Sequence, residues 1–405
     1  MRDPRSPGPW GPRVEPGVKS AKQVLGLGLR AVLGVLLLLL GIAGFFAFAA
    51  GFADYPVVPP SPTAKAWIRG AYHVHTTRSD GNGSPAKVAA AAKAAGLDFV
   101  VLTDHNDLAP PAATWMDGVL LIPGVELSTQ SGHLTAFGMQ RPLRDVKPWG
   151  PPEQALAAVE AAGGTAVLAH PVQKKNPWRD EATAQRVPGF ELYSADTFFR
   201  QALRSPFSRL LPAVGASLMN PVHGVMLLVA PEPEPTARFL ELSREQPRLA
   251  LCAHDAHGLP AYETVFSALD VEFPPELLPG PLSRDAGEAA KQVTQALASP
   301  QSLCVFRALG APDGFALEGY DARTREAPVG TKLMVRLPDH IPETLEVRVW
   351  GEGRLGPDGR SIELTGPGVV QVEIWARAPG RFFGHEWRPW LVPSPVRVVP
   401  RAPGI

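Results

Sequence analysis

From residue 70 to about residue 300 the chain alternates short apolar runs with alanine-rich stretches, and this alternation limits the folds open to it. WIRGAYHVH, LDFVVLTDHN, VLLIPGVELST, HLTAFGM, TAVLAHP, FELYS and RLALCAHDAHG read as strands. SPAKVAAAAKAAG, PEQALAAVEAAGG, PTARFLELSREQP and DAGEAAKQVTQALAS read as helices. In the first of these, Ser84 suits the N-cap, Pro85 the first helical position and Gly96 the C-terminal stop. LDFVVLTDHN is almost continuously apolar, as expected of a strand buried on both faces. Alternation over this length predicts an α/β fold with a mainly parallel sheet, open or closed into a barrel. In either form, ligands belong at the carboxyl ends of the strands.

The chemically capable residues fall at those ends. His73 and His75 close the first strand, two apart and so nominally on one face, with Asp80 in the glycine-containing turn that follows. His105 follows FVVLTD, Glu126 lies in GVELS, and His133 opens the strand after the QSG turn. His170 ends TAVLA; Asp255 and His257 end LALCA, again two apart. One such residue at a strand end is common, but repetition at nearly every end points to a metal site. His254, of opposite parity, reads as packing or hydrogen bonding behind that site. Asp104 either orients an imidazole from behind or caps the next turn. His223 reads as structural or exposed, and His340 and His385 as surface residues.

Taken in order, HVHTTRSDG, GLDFVVLTDHN, GVELS with GHLTAFG, AHP and HDAHG resemble the motifs of the PHP (polymerase and histidinol phosphatase) superfamily of metal-dependent hydrolases. The resemblance covers residues 70 to about 300 and implies a distorted (β/α)7 barrel holding up to three divalent metals. Carried over by position, it implies one metal on His73, His75, Glu126 and Asp255. Glu126 would bridge to a second metal held also by His133 and His170, and Asp80, His105 and His257 would hold the third. Asp80 departs from members with histidine near that position. Glu126, Asp255 and His257 are expected to serve catalysis as well as metal binding.

Two to three divalent ions are expected; imidazole and carboxylate donors suit Zn, Mn or Fe, and the sequence does not choose among these metals. A carboxylate-bridged pair makes hydroxide available at neutral pH and clamps a phosphoryl oxygen. The expected activity is hydrolysis of a small phosphorylated substrate by a metal-activated hydroxide at a di- or trinuclear site. Arg78, Lys174, Lys175 and Arg179 are the expected phosphate contacts; the alternative for each is a solvated basic loop. Two other readings compete. The same metals would serve a carbamate, carboxylic ester or amide, or the chain is a non-catalytic surface binding protein.

AVLGVLLLLLGIAGFFAFAAGF, residues 31–52, carries no charge and is long enough to cross a hydrocarbon core of about 30 Å as a helix. Arg2, Arg5, Arg13, Lys19, Lys22 and Arg30 precede it, which places a basic segment, residues 1–30, in the cytoplasm and the rest outside. Secretion after cleavage of a signal peptide is the alternative, although the apolar run is longer than the usual signal. Residues 53–66 read as a proline-rich linker, and residues 67–304 as the metallohydrolase domain. Residues 305–405 alternate apolar and polar residues between Gly/Pro turns, the pattern of a small β-sandwich. Trp350, Trp375, Trp387 and Trp390 there are either core or an aromatic face for glycan or protein contact. Residues 200–235 are apolar enough to pack on the barrel or line a substrate pocket, while Arg204, Arg209 and several prolines argue against a second span. With 39 basic and 39 acidic residues, no nucleic-acid partner is expected. Cys252 and Cys304 read as small buried apolar residues.

Overall fold

A computed structural model describes residues 21–52, 67–230, 232–244, 246, 248–377 and 386–401. The basic residues Arg2, Arg5, Arg13 and Lys19, the linker 53–66 and His385 lie outside these. Helix α1 (Ala21–Ala50) contains all but the last two residues of the uncharged run; Leu25–Ala50 is long and apolar enough to cross a membrane or to act as a signal sequence.

The α/β region contains strands β1 (Ile68–Val74), β2 (Phe99–Leu102), β3 (Thr114–Met116), β4 (Val119–Thr129), β5 (Gly132–Phe137), β6 (Thr165–Ala169), β7 (Gly189–Ser194), β8 (Leu249–Ala253), β9 (Asp270–Phe273) and β10 (Leu303–Val305). Its helices are α2 (Pro85–Ala94), α3 (Pro152–Ala161), α4 (Glu181–Ala184), α5 (Ala195–Leu203), α6 (Leu211–Ser217), α7 (Pro221–Leu228), α8 (Pro233–Ser243), α9 (Tyr262–Ala268) and α10 (Ala286–Leu297). Ser84 caps α2 by accepting from the Lys87 N–H, and Gly96 beyond its end takes φ +74°, a conformation that costs glycine nothing.

The sheet is mixed rather than mainly parallel. β1, β2 and β4 run parallel, as do β6, β7 and β8, but β5 is antiparallel to both β4 and β6. Only Gln130 and Ser131 separate the paired Thr129 and Gly132, and so short a turn can join only antiparallel strands. Beyond β8, the backbone returns to β1. The N–H of His254 donates to Tyr72, that of His75 to Ala256, and that of Ala256 to His73. Gly70 of β1 has no alternative: a Cβ there would stand 2.3 Å from the Phe99 ring, which stacks on Phe273 at 5.4 Å.

The C-terminal region is strand-rich: β11 (Ala316–Glu318), β12 (Glu326–Pro328), β13 (Lys332–Arg336), β14 (Leu345–Gly351), β15 (Gly353–Leu355), β16 (Ser361–Leu364), β17 (Gly368–Arg377), β18 (Trp387–Pro393) and β19 (Val396–Val399). β10 pairs with β9 on one side and β18 on the other, so the sheet runs from the α/β region into the C-terminal strands without a break. A four-stranded sheet, β11-β13-β16-β15, contributes Leu333, Val335 and Ile362 to the same apolar core as Val370, Val372 and Ile374 of β17. Trp375 and Trp390 are buried, Trp390 donating to the Gly310 carbonyl; Trp350 and Trp387 are partly buried.

The cysteines correct the expectation for them. Cys252 of β8 and Cys304 of β10 are both buried, but they form a disulfide, with Cα atoms 5.5 Å apart. Separated by 52 positions, they carried no spacing signal; the neighbouring ends of β8 and β10 bring them together.

Candidate metal centre

All nine expected ligands converge at one end of the α/β sheet. The tightest group is His73, His75, Glu126 and Asp255, all buried. His73 Nε2 stands 3.1 Å from His75 Nε2, 3.2 Å from Glu126 Oε2 and 3.4 Å from Asp255 Oδ1. His75 Nε2 stands 3.1 Å from the same Glu126 oxygen and 3.3 Å from the same Asp255 oxygen. Four ligand atoms placed tetrahedrally about 2.0–2.1 Å from a common centre are about 3.3–3.4 Å apart. The spacing therefore fits one divalent ion.

The tautomers fit as well. His73 Nδ1 lies 2.7 Å from Glu191 Oε1, and a carboxylate there fixes the proton on Nδ1, leaving the Nε2 lone pair for the cluster. His257 Nδ1 donates to the Asp255 carbonyl at 2.9 Å, which turns its Nε2 toward Asp80 at 3.4 Å. Two further groups share residues with the first: His75, Asp80, His105 and His257, and His105, Glu126 and His133. His170 Nε2 reaches Glu126 Oε1 at 3.1 Å, so both Glu126 oxygens face imidazoles. His133 meets Glu126 Oε1 as well, through Nδ1 at 2.7 Å, and His105 Nδ1 stands 3.3 Å from Oε2.

Backbone strain concentrates here. His73, His170 and Asp255 adopt φ of +64°, +32° and +47°, and Asn106 beside His105 takes +52°. Each such conformation costs non-glycine residues on the order of 1–3 kcal/mol. At His73 it breaks the simple alternation of β1, whose register shifts between Ala71 and Val74, yet both imidazoles still enter the cluster while Val74 packs in the core behind.

Charge explains the rest. Burial opposes ionisation of Glu126, but His73 and hydrogen bonds from His133 and His170 hold its carboxyl well below the usual range. Hydrogen bonding to His257 likewise holds Asp80 far below it. The open side of the cluster is formed by Asp80, 55% exposed, with His105 and His257 partly exposed.

Sequence reasoning missed Glu191. Besides His73 it accepts from the His170 N–H at 2.8 Å and from Thr135. A glutamate inside the wholly buried β7 was itself a signal, because an unpaired charge is not buried there. Asp196, just past the end of β7, was also missed; it holds Arg200, whose guanidinium lies near enough to Asp255 and Asp80 to sense both charges. Asp104 touches no imidazole directly; it reaches His75 only through Ser79, whose hydroxyl lies 3.4 Å from His75 Nδ1. It accepts from the Thr76 N–H and hydroxyl and from Ser79, tying down the loop after β1. His254 is buried behind the cluster, its Nδ1 accepting from the Tyr72 N–H and its Nε2 donating to the Leu269 carbonyl. His223 is buried in α7, and His340 is exposed.

Of the expected phosphate contacts, Arg78 is paired with Asp107 at 2.7 Å. Lys174 lines a groove with Glu234 and Glu241, and Lys175 and Arg179 are exposed; none of these three touches a cluster residue among the described residues.

Residues 71–263 match the model of the PHP domain family, and they include all nine ligand positions. The chain carries a PHP domain. This domain supports a metal-dependent hydrolase, and the His/Asp/Glu cluster offers the donors a divalent metal takes. Solved structures give a fainter likeness. A two-domain protein of Bacteroides vulgatus containing a predicted PHP-like metal-dependent phosphoesterase is 14% identical with a TM-score of 0.40, over 84% of this chain and 98% of that one. PsfC of Pseudomonas syringae is 17% identical with a TM-score of 0.32, over 57% and 100%. The lesion-specific endonuclease PfuEndoQ of Pyrococcus furiosus is 12% identical with a TM-score of 0.34, over 64% of each. A comparison with curated proteins finds no match.

Proposed function

We propose that this chain is a membrane-anchored phosphoesterase whose PHP domain, closed as a distorted barrel, works outside the cytoplasm with up to three divalent ions. The carrying observation is the four-donor group of His73, His75, Glu126 and Asp255, with the proton of His73 fixed on the far side by Glu191. When bound, the ions would lower the pKa of a coordinated water and polarise a phosphoryl oxygen. The chain's own residues do the rest. Glu126 links the two halves of the cluster through its two oxygens. Asp80, His105 and His257 border the face by which substrate enters. Arg200, braced by Asp196, supplies the positive charge that orients a phosphate there.

Two features support the location. α1 is uncharged from residue 31 to its end at Ala50 and follows a basic flank. The Cys252–Cys304 disulfide suits an oxidising compartment.

The test is release of phosphate from an aryl phosphate by the metal-loaded full chain, beside an aryl carboxylic ester. Cleavage of the phosphate ester, lost in Asp255→Ala, is expected. Cleavage of the carboxylic ester alone would move the reading to ester, carbamate or amide hydrolysis.

A further inference from the structure

Far from α1 in sequence, the chain has a second uncharged stretch. Residues 210–231 hold no aspartate, glutamate, lysine or arginine. α6 and α7 take up most of it, and at 1.5 Å per residue each is about 10–12 Å long, too short to cross a bilayer.

The polarity of this segment is reversed. Leu203, Phe207, Val214, Leu218 and Met219 are exposed, Phe207 at 77%. Arg209, by contrast, is half-buried and donates to the Leu228 carbonyl at the end of α7. Ser217 donates to the Ala213 carbonyl, and Asn220 accepts from the His223 N–H. A lone exposed leucine is ordinary, but five large apolar side chains on one short segment make an interaction surface.

The packing of α1 identifies what covers it. Gly215 of α6 lies so close to α1 that a Cβ there would stand 2.7 Å from the Ala43 carbonyl oxygen and 2.9 Å from Phe46. Ala50 of α1 shares a core with Ala213 and Ala216 of α6, while Leu33, Leu36, Leu38 and Leu40 stay exposed. The contact thus lies inside the uncharged run. Arg30 closes that run at its start, and residues 31–50 supply the roughly 20 residues that a hydrocarbon core of about 30 Å requires. From Ala43 to Ala50 is about 10 Å of helix. With this run across the bilayer, Gly215 is held about 10 Å inside the hydrocarbon, comparable with the depth to which a surface-lying helix buries its apolar face.

We infer that residues 203–219 form a seat sunk into the outer leaflet beside α1, covered by lipid hydrocarbon. The hydrolase domain then rests in the membrane and is not only tied to it. The inference rests on α1 spanning the bilayer, as proposed above, and is independent of the reaction catalysed. In the seat the apolar side chains meet lipid, and Arg209, Ser217 and Asn220 find their partners within the protein, as a medium without water demands. Arg204, exposed beside Leu203, is long enough to carry its charge up to the headgroups. α5 runs from Asp196, which lines the same recess as Asp255 and His257, to Leu203 in the seat, about 10 Å of helix. The metal centre is therefore kept near the membrane surface in a fixed orientation.

The test reads depth in the full chain reconstituted in phosphatidylcholine vesicles. Because Cys252 and Cys304 are joined, one introduced cysteine takes a nitroxide label selectively. Phe207→Cys and Leu218→Cys are the probes, Leu36→Cys the membrane standard and Ile341→Cys the aqueous one; all four replace exposed side chains. Oxygen should broaden the labels at 207 and 218 as it does at 36. Anionic chromium oxalate should reach them about tenfold less than at 341, because hydrocarbon excludes charge. Free access of chromium oxalate to 207 and 218, with 36 shielded, would overturn the seat and leave the span standing. Labels at 207 and 218 reached by neither reagent would mean that a second copy of the protein covers the face, and would overturn the seat too. Free access at all four positions would remove span and seat together.

Discussion

The imidazole of His73 and the carboxylate of Glu191 meet at 2.7 Å, both buried, one from β1 and the other from β7. The contact turns the free nitrogen of His73 toward Glu126 and Asp255. Partners of this kind are worth 10- to 100-fold in metal affinity. Glu191→Gln should weaken binding of the most tightly held ion by about that factor, read by competition with a chelator. Unchanged affinity would mean that the neighbouring ligands alone set the tautomer.

Arg200 gives a kinetic prediction. Arg200→Ala should raise KM for a phosphate ester tenfold or more while metal content stays constant. A rise of the same size for a neutral carboxylic ester would show that the side chain only props the wall.

Glu373 of β17 lies buried in the C-terminal region and accepts from Tyr193 and from Trp375, at 2.7 Å from the indole nitrogen. Burial outweighs these bonds and lifts its pKa to about 7. The folded state thus binds a proton that the unfolded chain releases near pH 4.3. Stability from this group is complete below the unfolded value and is lost as pH rises toward 7, by roughly 3 kcal/mol. Glu373→Gln should flatten that fall, as measured by denaturant unfolding at pH 5 and pH 8. A parallel pH dependence in both proteins would refute the assignment.

Cys252 and Cys304 join β8 to β10, the strand that carries the sheet into the C-terminal region. Closing a loop of this length is commonly worth about 2–4 kcal/mol. Cys252→Ala/Cys304→Ala should lower the unfolding free energy by that amount, and the unreduced protein should show no free thiol. Two titratable thiols would contradict the pairing.

Much of the site was legible because strand-end chemistry is local. His73, His75, His105, His170 and Asp255 sit where an apolar run stops, and the run itself predicts the strand. Glu191 escaped because it lies inside a strand and its partners are 118 and 21 positions away. The disulfide and the β10–β18 pairing escaped for the same reason: both join segments far apart in sequence. The antiparallel β5 was legible in principle from the two-residue turn before it. Residues 200–235 offered only composition, which could not show that Gly215 of α6 packs against Ala43 and Phe46 of α1.

The central claim is that one end of this sheet is a metal centre. The most direct measurement is elemental mass spectrometry of the purified full chain beside His73→Ala and Asp255→Ala. Two to three equivalents of divalent metal are expected, falling in both variants. Less than one equivalent in the unmodified protein, even after Mn or Zn is added back, would contradict the account.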